Sequence, residues 1–79
     1  MEILWVTYAV HLEGYKLKLE FNNGKTKEVD LKNYLNKPIF KPLNDMEYFT
    51  KFKLNPFTIE WENGADFAPE FLYKIGKNI

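Results

Sequence analysis

The chain has 79 residues, eleven basic side chains against eleven acidic ones, one histidine and no cysteine. That length admits a single domain, residues 1–79, built on one core. Balanced charge leaves no footprint for a general polyanion binder, and a lone histidine without cysteine excludes disulfide staples and a transition-metal centre.

Small domains need extra stabilisation, and here aromatic bulk supplies it: five Tyr, seven Phe and two Trp make 18% of the chain, each able to bury a large area. No apolar run approaches the ~20 residues that cross a bilayer, so no membrane partner is expected. The start, Met1-Glu2-Ile3-Leu4-Trp5, has no basic region ahead of its apolar residues. No signal peptide is therefore expected, and a cytoplasmic protein is.

Residues 3 to 31 read as three strands joined by two tight turns. In the first, Leu4, Val6, Tyr8, Val10 and Leu12 alternate onto one face; in the second, Tyr15, Leu17, Leu19 and Phe21 do the same. A two-residue turn at Glu13-Gly14 pairs Leu12 with Tyr15, Val10 with Leu17, Tyr8 with Leu19 and Val6 with Phe21. All four pairs are apolar, which favours that register.

The second turn contains Asn23-Gly24, the signature of a two-residue hairpin loop. Such a loop would set Leu17 against Asp30 and Leu19 against Glu28, burying carboxylates. A type I turn over Asn22-Asn23 with Gly24 left-handed in a bulge moves the pairing by one. Leu17 then meets Val29, Lys18 meets Glu28 and Lys16 meets Asp30, so the bulged hairpin is predicted.

Further on, Asp30 caps a short helical turn carrying Leu31, Tyr34 and Leu35. Pro38 and Pro42 hold Lys37 to Leu43 extended. Asn44, three residues before Glu47, has capping-box spacing, with Asp45 as the alternative cap, for a helix over about Met46 to Phe52 that offers Phe49 and Phe52 to the core. Phe57, Ile59 and Trp61 alternate as a fourth strand. Pro69 opens a last helix whose buried side carries Leu72 and Ile75, and Gly76 ends it. The architecture expected is α+β: an antiparallel sheet of about four strands, beginning as a three-stranded meander, with two or three short helices packed on it.

The stretch Trp61-Glu62-Asn63-Gly64-Ala65-Asp66, followed by Pro69 and Leu72-Tyr73, is the densest local signal. Together with Leu17 to Phe21 running into Asn23-Gly24, then Val29-Asp30-Leu31, Phe40 to Asp45 and Phe49, it resembles the bacterial domain-of-unknown-function family DUF2442 almost end to end. Glu62 stands where that family commonly has proline. The resemblance implies an α+β fold and no established activity. Some relatives carry a helix-turn-helix domain, and others neighbour small proteins of the toxin–antitoxin kind, which implies regulation or partner binding. No helix-turn-helix module lies within these 79 residues, so DNA reading is not carried over.

Four constellations bear on function. His11, in the register above, falls on the charged face across from Lys16, where catalysis would need a partner that the sequence does not name. Glu60, Glu62, Asp66 and Glu70 form the acidic cluster, but their spacing fits no calcium loop. Asp66 suits a turn acceptor and Glu70 a helix N-terminus. Gly24 and Gly64 are turn glycines, since a phosphate cradle needs several opening onto a helix. Seven lysines lie between Gly14 and Asn44, yet Lys16 and Lys18 find Asp30 and Glu28 opposite them, and the strand aromatics take the other face.

Trp5 points away from Leu4 and Val6, near Thr7 and Ala9. Either the C-terminal helix covers it or it anchors a partner.

The function expected is a non-enzymatic protein-interaction module, within a toxin–antitoxin-like or regulatory pair, that binds another protein chain or a second copy. Sheet edges, or Trp5, Thr7 and His11, would form the contact. Trp61, Asn63, Gly64, Asp66, Pro69 and Tyr73 form a structural motif, and no cofactor is expected. The alternatives are a nucleic-acid-associated regulator and a small carboxylate-dependent enzyme using Asp66 and Glu70.

Overall fold

The computed structural model describes residues 3–79; Met1 and Glu2, which open the stretch read above for a leader, lie outside them. Strands β1 (Val6–His11), β2 (Lys16–Phe21) and β3 (Thr26–Asp30) form an antiparallel meander. A short strand β6 (Lys77–Asn78) adds to β3, giving the order β1-β2-β3-β6. The fold is thus α+β, with a four-stranded antiparallel sheet as its frame.

The second hairpin adopts the bulged register. Lys16 lies opposite Asp30, Leu17 opposite Val29 and Lys18 opposite Glu28, and Gly24 takes a φ of 84°. A left-handed backbone of this kind carries no penalty for a residue without Cβ.

The first hairpin departs from expectation. Its loop is three residues, Glu13-Gly14-Tyr15, closed by Leu12 N–H donating to Lys16 O at 3.0 Å. Val6 pairs with Phe21 and Tyr8 with Glu20, so Thr7 is an extra residue in a bulge. Beyond it the alternation is inverted: Ala9 lies opposite Leu19 and His11 opposite Leu17, while Tyr8, Val10 and Leu12 turn outward. The space behind β1 explains the inversion. Phe49 is completely buried there, edge-on to both His11 (6.1 Å) and Tyr15 (5.1 Å), which admits small or flat side chains from β1.

Three further expectations are corrected. Lys37 to Leu43 is not extended: Pro38–Asn44 forms a 3₁₀ helix, with Pro38 in its first turn. Phe40 N–H still reaches Lys37 O and Asp45 N–H reaches Pro42 O, so so short a helix tolerates the donor missing at Pro42. Helix α1 is one turn, Met46–Phe49, capped by Asp45, whose Oδ1 accepts from Glu47 N–H; Asn44 instead ties down Leu35 O and Lys41 O with its amide. The strand read at Phe57 to Trp61 is short, β5 (Ile59–Glu60). It pairs with β4 (Lys53–Leu54) in a second sheet and leaves Phe57 61% exposed.

Helix α2 (Pro69–Ile75) follows the sequence reading, with Leu72 buried and Gly76 N–H closing on Leu72 O. Asp30 Oδ1 accepts from Lys32 N–H at the head of the 3₁₀ turn Lys32–Tyr34. One apolar cluster fills the space under the sheet. Leu17, Leu19, Phe21 and Val29 meet Leu31, Leu43, Phe49, Ile59, Trp61 and Leu72 in it. The radius of gyration is 11.7 Å, close to the ~11.6 Å of a compact chain of this length.

Candidate functional site: the outer face of strand β1

The bulge at Thr7 sets the candidate site. Thr7 Oγ1 donates to Glu20 O at 3.2 Å, holding the extra residue against β2. Side chains two apart on a strand share a face, so Tyr8, Val10 and Leu12 form a row on the side away from the core. They are 54%, 36% and 40% exposed. Trp5, 37% exposed, precedes Val6 and takes the side opposite to that buried residue. Its backbone is fixed: Trp5 N–H donates to Asn22 Oδ1, Trp5 O accepts from Asn22 N–H, and the Asn22 amide donates to Ile3 O at 2.7 Å.

Beside this row lie Lys16, Lys18 and Glu20 of β2, opposite Asp30, Glu28 and Thr26 of β3. The outer face is therefore an apolar stripe flanked by locally balanced charge. The strand edge is a different surface. Val6 N–H donates to Phe57 O at 2.8 Å and β4 packs along β1, so this end of the edge is closed by the protein itself. Leu54, opposite the buried Ile59, and Phe57 are exposed at this edge.

The three residues expected at a contact are not brought together. Trp5 and Thr7 border the outer face, whereas His11 turns to the core side. It is half-buried, opposite Leu17 and not across from Lys16, and its Nε2–H donates to Gly14 O at 2.8 Å. Helix α2 packs near Phe21, with Tyr73 edge-on to that ring at 5.1 Å. Sequence reasoning missed Tyr8, Val10 and Leu12 as surface residues, because their alternation with polar neighbours is that of a core-facing strand.

The motif near the C-terminus forms a wall of the core. Trp61 is buried, and its Nε1–H donates to Phe49 O at 2.8 Å. Gly64, at a φ of 87°, turns the chain so that Trp61 N–H reaches Ala65 O. Asn63 is the hub of that turn. Its Oδ1 accepts from Ala65 N–H, its amide donates to Ile39 O, and its own N–H donates to Tyr48 Oη. The acceptor role expected of Asp66 thus belongs to Asn63, and Asp66 is exposed opposite Glu60. Pro69 starts α2, and Tyr73 Oη accepts from the Asn23 amide at 3.2 Å.

A second surface feature is a groove of about 360 Å³ between Lys32–Tyr34, the 3₁₀ helix Pro38–Asn44 and α2. An aromatic ladder lines it: Phe40 stacks on Phe67 at 4.5 Å, Phe67 on Phe71 at 5.9 Å, and Tyr34 meets Phe71 edge-on. Asp66 and Lys37 stand among its lining residues. Among the described residues no group of three or more His, Cys, Asp or Glu side chains could hold a metal ion, and no helix is long and apolar enough to cross a membrane.

A family model described as a protein of unknown function, DUF2442, matches residues 6–78 of the chain. No curated protein and no solved structure matches it.

Proposed function

We propose, from the premise that this chain belongs to the DUF2442 family, that it is a non-enzymatic interaction module. Its contact surface is the outer face of β1, and its partner is a protein chain. The observation that carries this reading is the inverted alternation after Thr7, which exposes Tyr8, Val10 and Leu12 in a row. Fully burying such a side chain is worth ~1.5–3 kcal/mol, and at 36–54% exposure up to about half of that remains for a partner that covers them to recover. Contiguous apolar surface rimmed by charge is the anatomy of a protein contact.

A role within a toxin–antitoxin-like or regulatory pair, in the cytoplasm, is the setting that the family resemblance suggests. The charges beside the stripe alternate in sign from β2 to β3, which suits a polar rim better than a polyphosphate track. Asp66 and Glu70 belong, on this reading, to the turn and to the first turn of α2, and no reaction is assigned to them.

The test is capture from host lysate with the tagged chain, at low and high salt, comparing wild type with Tyr8→Lys, Trp5→Ala and Ile79→Lys. A stoichiometric protein, whether a host chain or the untagged copy of this one, held at high salt, lost with Tyr8→Lys, weakened with Trp5→Ala and kept with Ile79→Lys, is expected. Nucleic acid released by salt, with the same yield from every variant, would replace the module with the regulator reading.

A further inference from the structure

We infer that the partner on the outer face of β1 is a second copy of this chain, so that the working form is a two-fold dimer; this rests on the module reading above. Three observations select a copy of the chain itself. The first is self-complementarity. Tyr8, Val10 and Leu12 stand at alternate positions of one strand, so an antiparallel overlay about a two-fold axis through Val10 sets Val10 on Val10 and Tyr8 on Leu12. No polar side chain is then forced against an apolar one, as an isologous contact requires.

The second is charge. The chain is formally neutral, with eleven charges of each sign, so two copies approach without net repulsion. The lysines beside the stripe, Lys16 and Lys18, face Asp30 and Glu28 across the β2–β3 pair. The same axis lays β2 over β2, so Lys16 of each copy approaches Glu20 of the other while Lys18 approaches Lys18, and charges already paired within each chain add little net energy either way.

The third is area. Trp5, Tyr8, Val10 and Leu12 together expose on the order of 350 Å². A standard interface covers about 800 Å² on each partner, so a contact centred on this stripe, with Lys16, Lys18 and Glu20 covered beside it, falls at the small, weakly associating end of the range.

The experiment is sedimentation velocity on the full chain from micromolar to several hundred micromolar, paired with cross-linking. Wild type is expected to sediment as a dimer over the upper part of that range. Val10→Lys, at the axis, should be monomeric with an unchanged circular dichroism spectrum. Ile79→Lys, beyond β6 at the other side of the sheet, should remain dimeric. Because the chain has no cysteine, Val10→Cys places a single thiol at the axis. A short bis-maleimide should join two such chains, since packed sheets lie about 10 Å apart, and should not join Ile79→Cys chains at the same concentration. This arm holds even if Val10→Lys fails to fold.

A monomer at every concentration, without Val10→Cys cross-linking, overturns the dimer. If that monomer captures a host protein that Tyr8→Lys releases, the module reading stands with a different partner. If it captures none, both readings fall.

Discussion

Lys27 shows how much one side chain of this domain can do. It lies on the core side of β3, two residues from Val29, and is only 9% exposed. The stem runs under α2 so that Nζ donates to Tyr73 O at 2.9 Å and sits 3.9 Å from the centroid of the Tyr73 ring. A cation at the C-terminal end of a helix is favoured by the carbonyls there, and the ring face adds to it. Gly76 makes the approach feasible, since a Cβ at that position would stand 2.9 Å from Lys27 Cβ. Lys27→Met keeps the stem and removes the charge and the donor. It is expected to cost ~1–2 kcal/mol, read as a lower urea midpoint at unchanged slope. In a Tyr73→Leu background the same substitution should cost about half as much, because the ring contact is gone while the backbone acceptor at position 73 remains. Equal costs in the two backgrounds would show that the ring contributes nothing. Lys27 is legible from alternation alone, since Val29 fixes its face. A lysine there reads as an error in the pattern until α2 is placed above it.

The two hairpins differ in how far sequence determines them. In the second, the competing registers differ by burying Asp30 and Glu28 or pairing them with lysines, so the choice is worth several kcal/mol and the bulged turn follows. In the first, the expected register pairs apolar with apolar throughout, whereas the observed one sets Tyr8 against Glu20, Val10 against Lys18 and His11 against Leu17. Alternation cannot register an inserted residue such as Thr7; what decides is the volume left by Phe49 and Tyr15 behind β1, which is a tertiary quantity. The same limit hid the contact face: Tyr8, Val10 and Leu12 look like core until the bulge is known, while Trp5, out of phase from the start, was legible. Strand β6 was not legible, because Lys77–Asn78 is a two-residue polar segment selected only by the free edge of β3. The bulge itself makes a prediction. Deleting Thr7 removes the extra residue without changing which residues follow it opposite β2, so Ala9 should still face Leu19 and Tyr8 Glu20. The variant is expected to fold with a loss of ~1–2 kcal/mol for the bond to Glu20 O and local strain. Cross-strand proton contacts between Ala9 and Leu19 measured by NMR check it. A shift to Tyr8 opposite Leu19 would mean that alternation, not the space behind β1, sets the register.

At the scale of the whole molecule, neutrality and the stripe act together. A 79-residue chain hides a smaller share of its surface than larger domains do, so an apolar patch left outside is a large fraction of what it could bury. Its charges are mixed in sign on the β2–β3 face and sum to zero, which gives neither long-range attraction nor repulsion to association. The behaviour in salt therefore distinguishes which surface joins two chains. Contacts centred on Tyr8, Val10 and Leu12 bury apolar area, which added sodium chloride leaves nearly untouched. Contacts centred on the lysine and carboxylate rows weaken as the Debye length falls from about 14 Å at 50 mM to about 4 Å at 500 mM. Over that range the dimer dissociation constant, measured by sedimentation equilibrium, is expected to change less than about threefold, with sulfate tightening it. A rise beyond about tenfold would transfer the contact to Lys16, Lys18, Glu28 and Asp30, and Lys18→Glu paired with Glu28→Lys would then restore what either substitution alone removes.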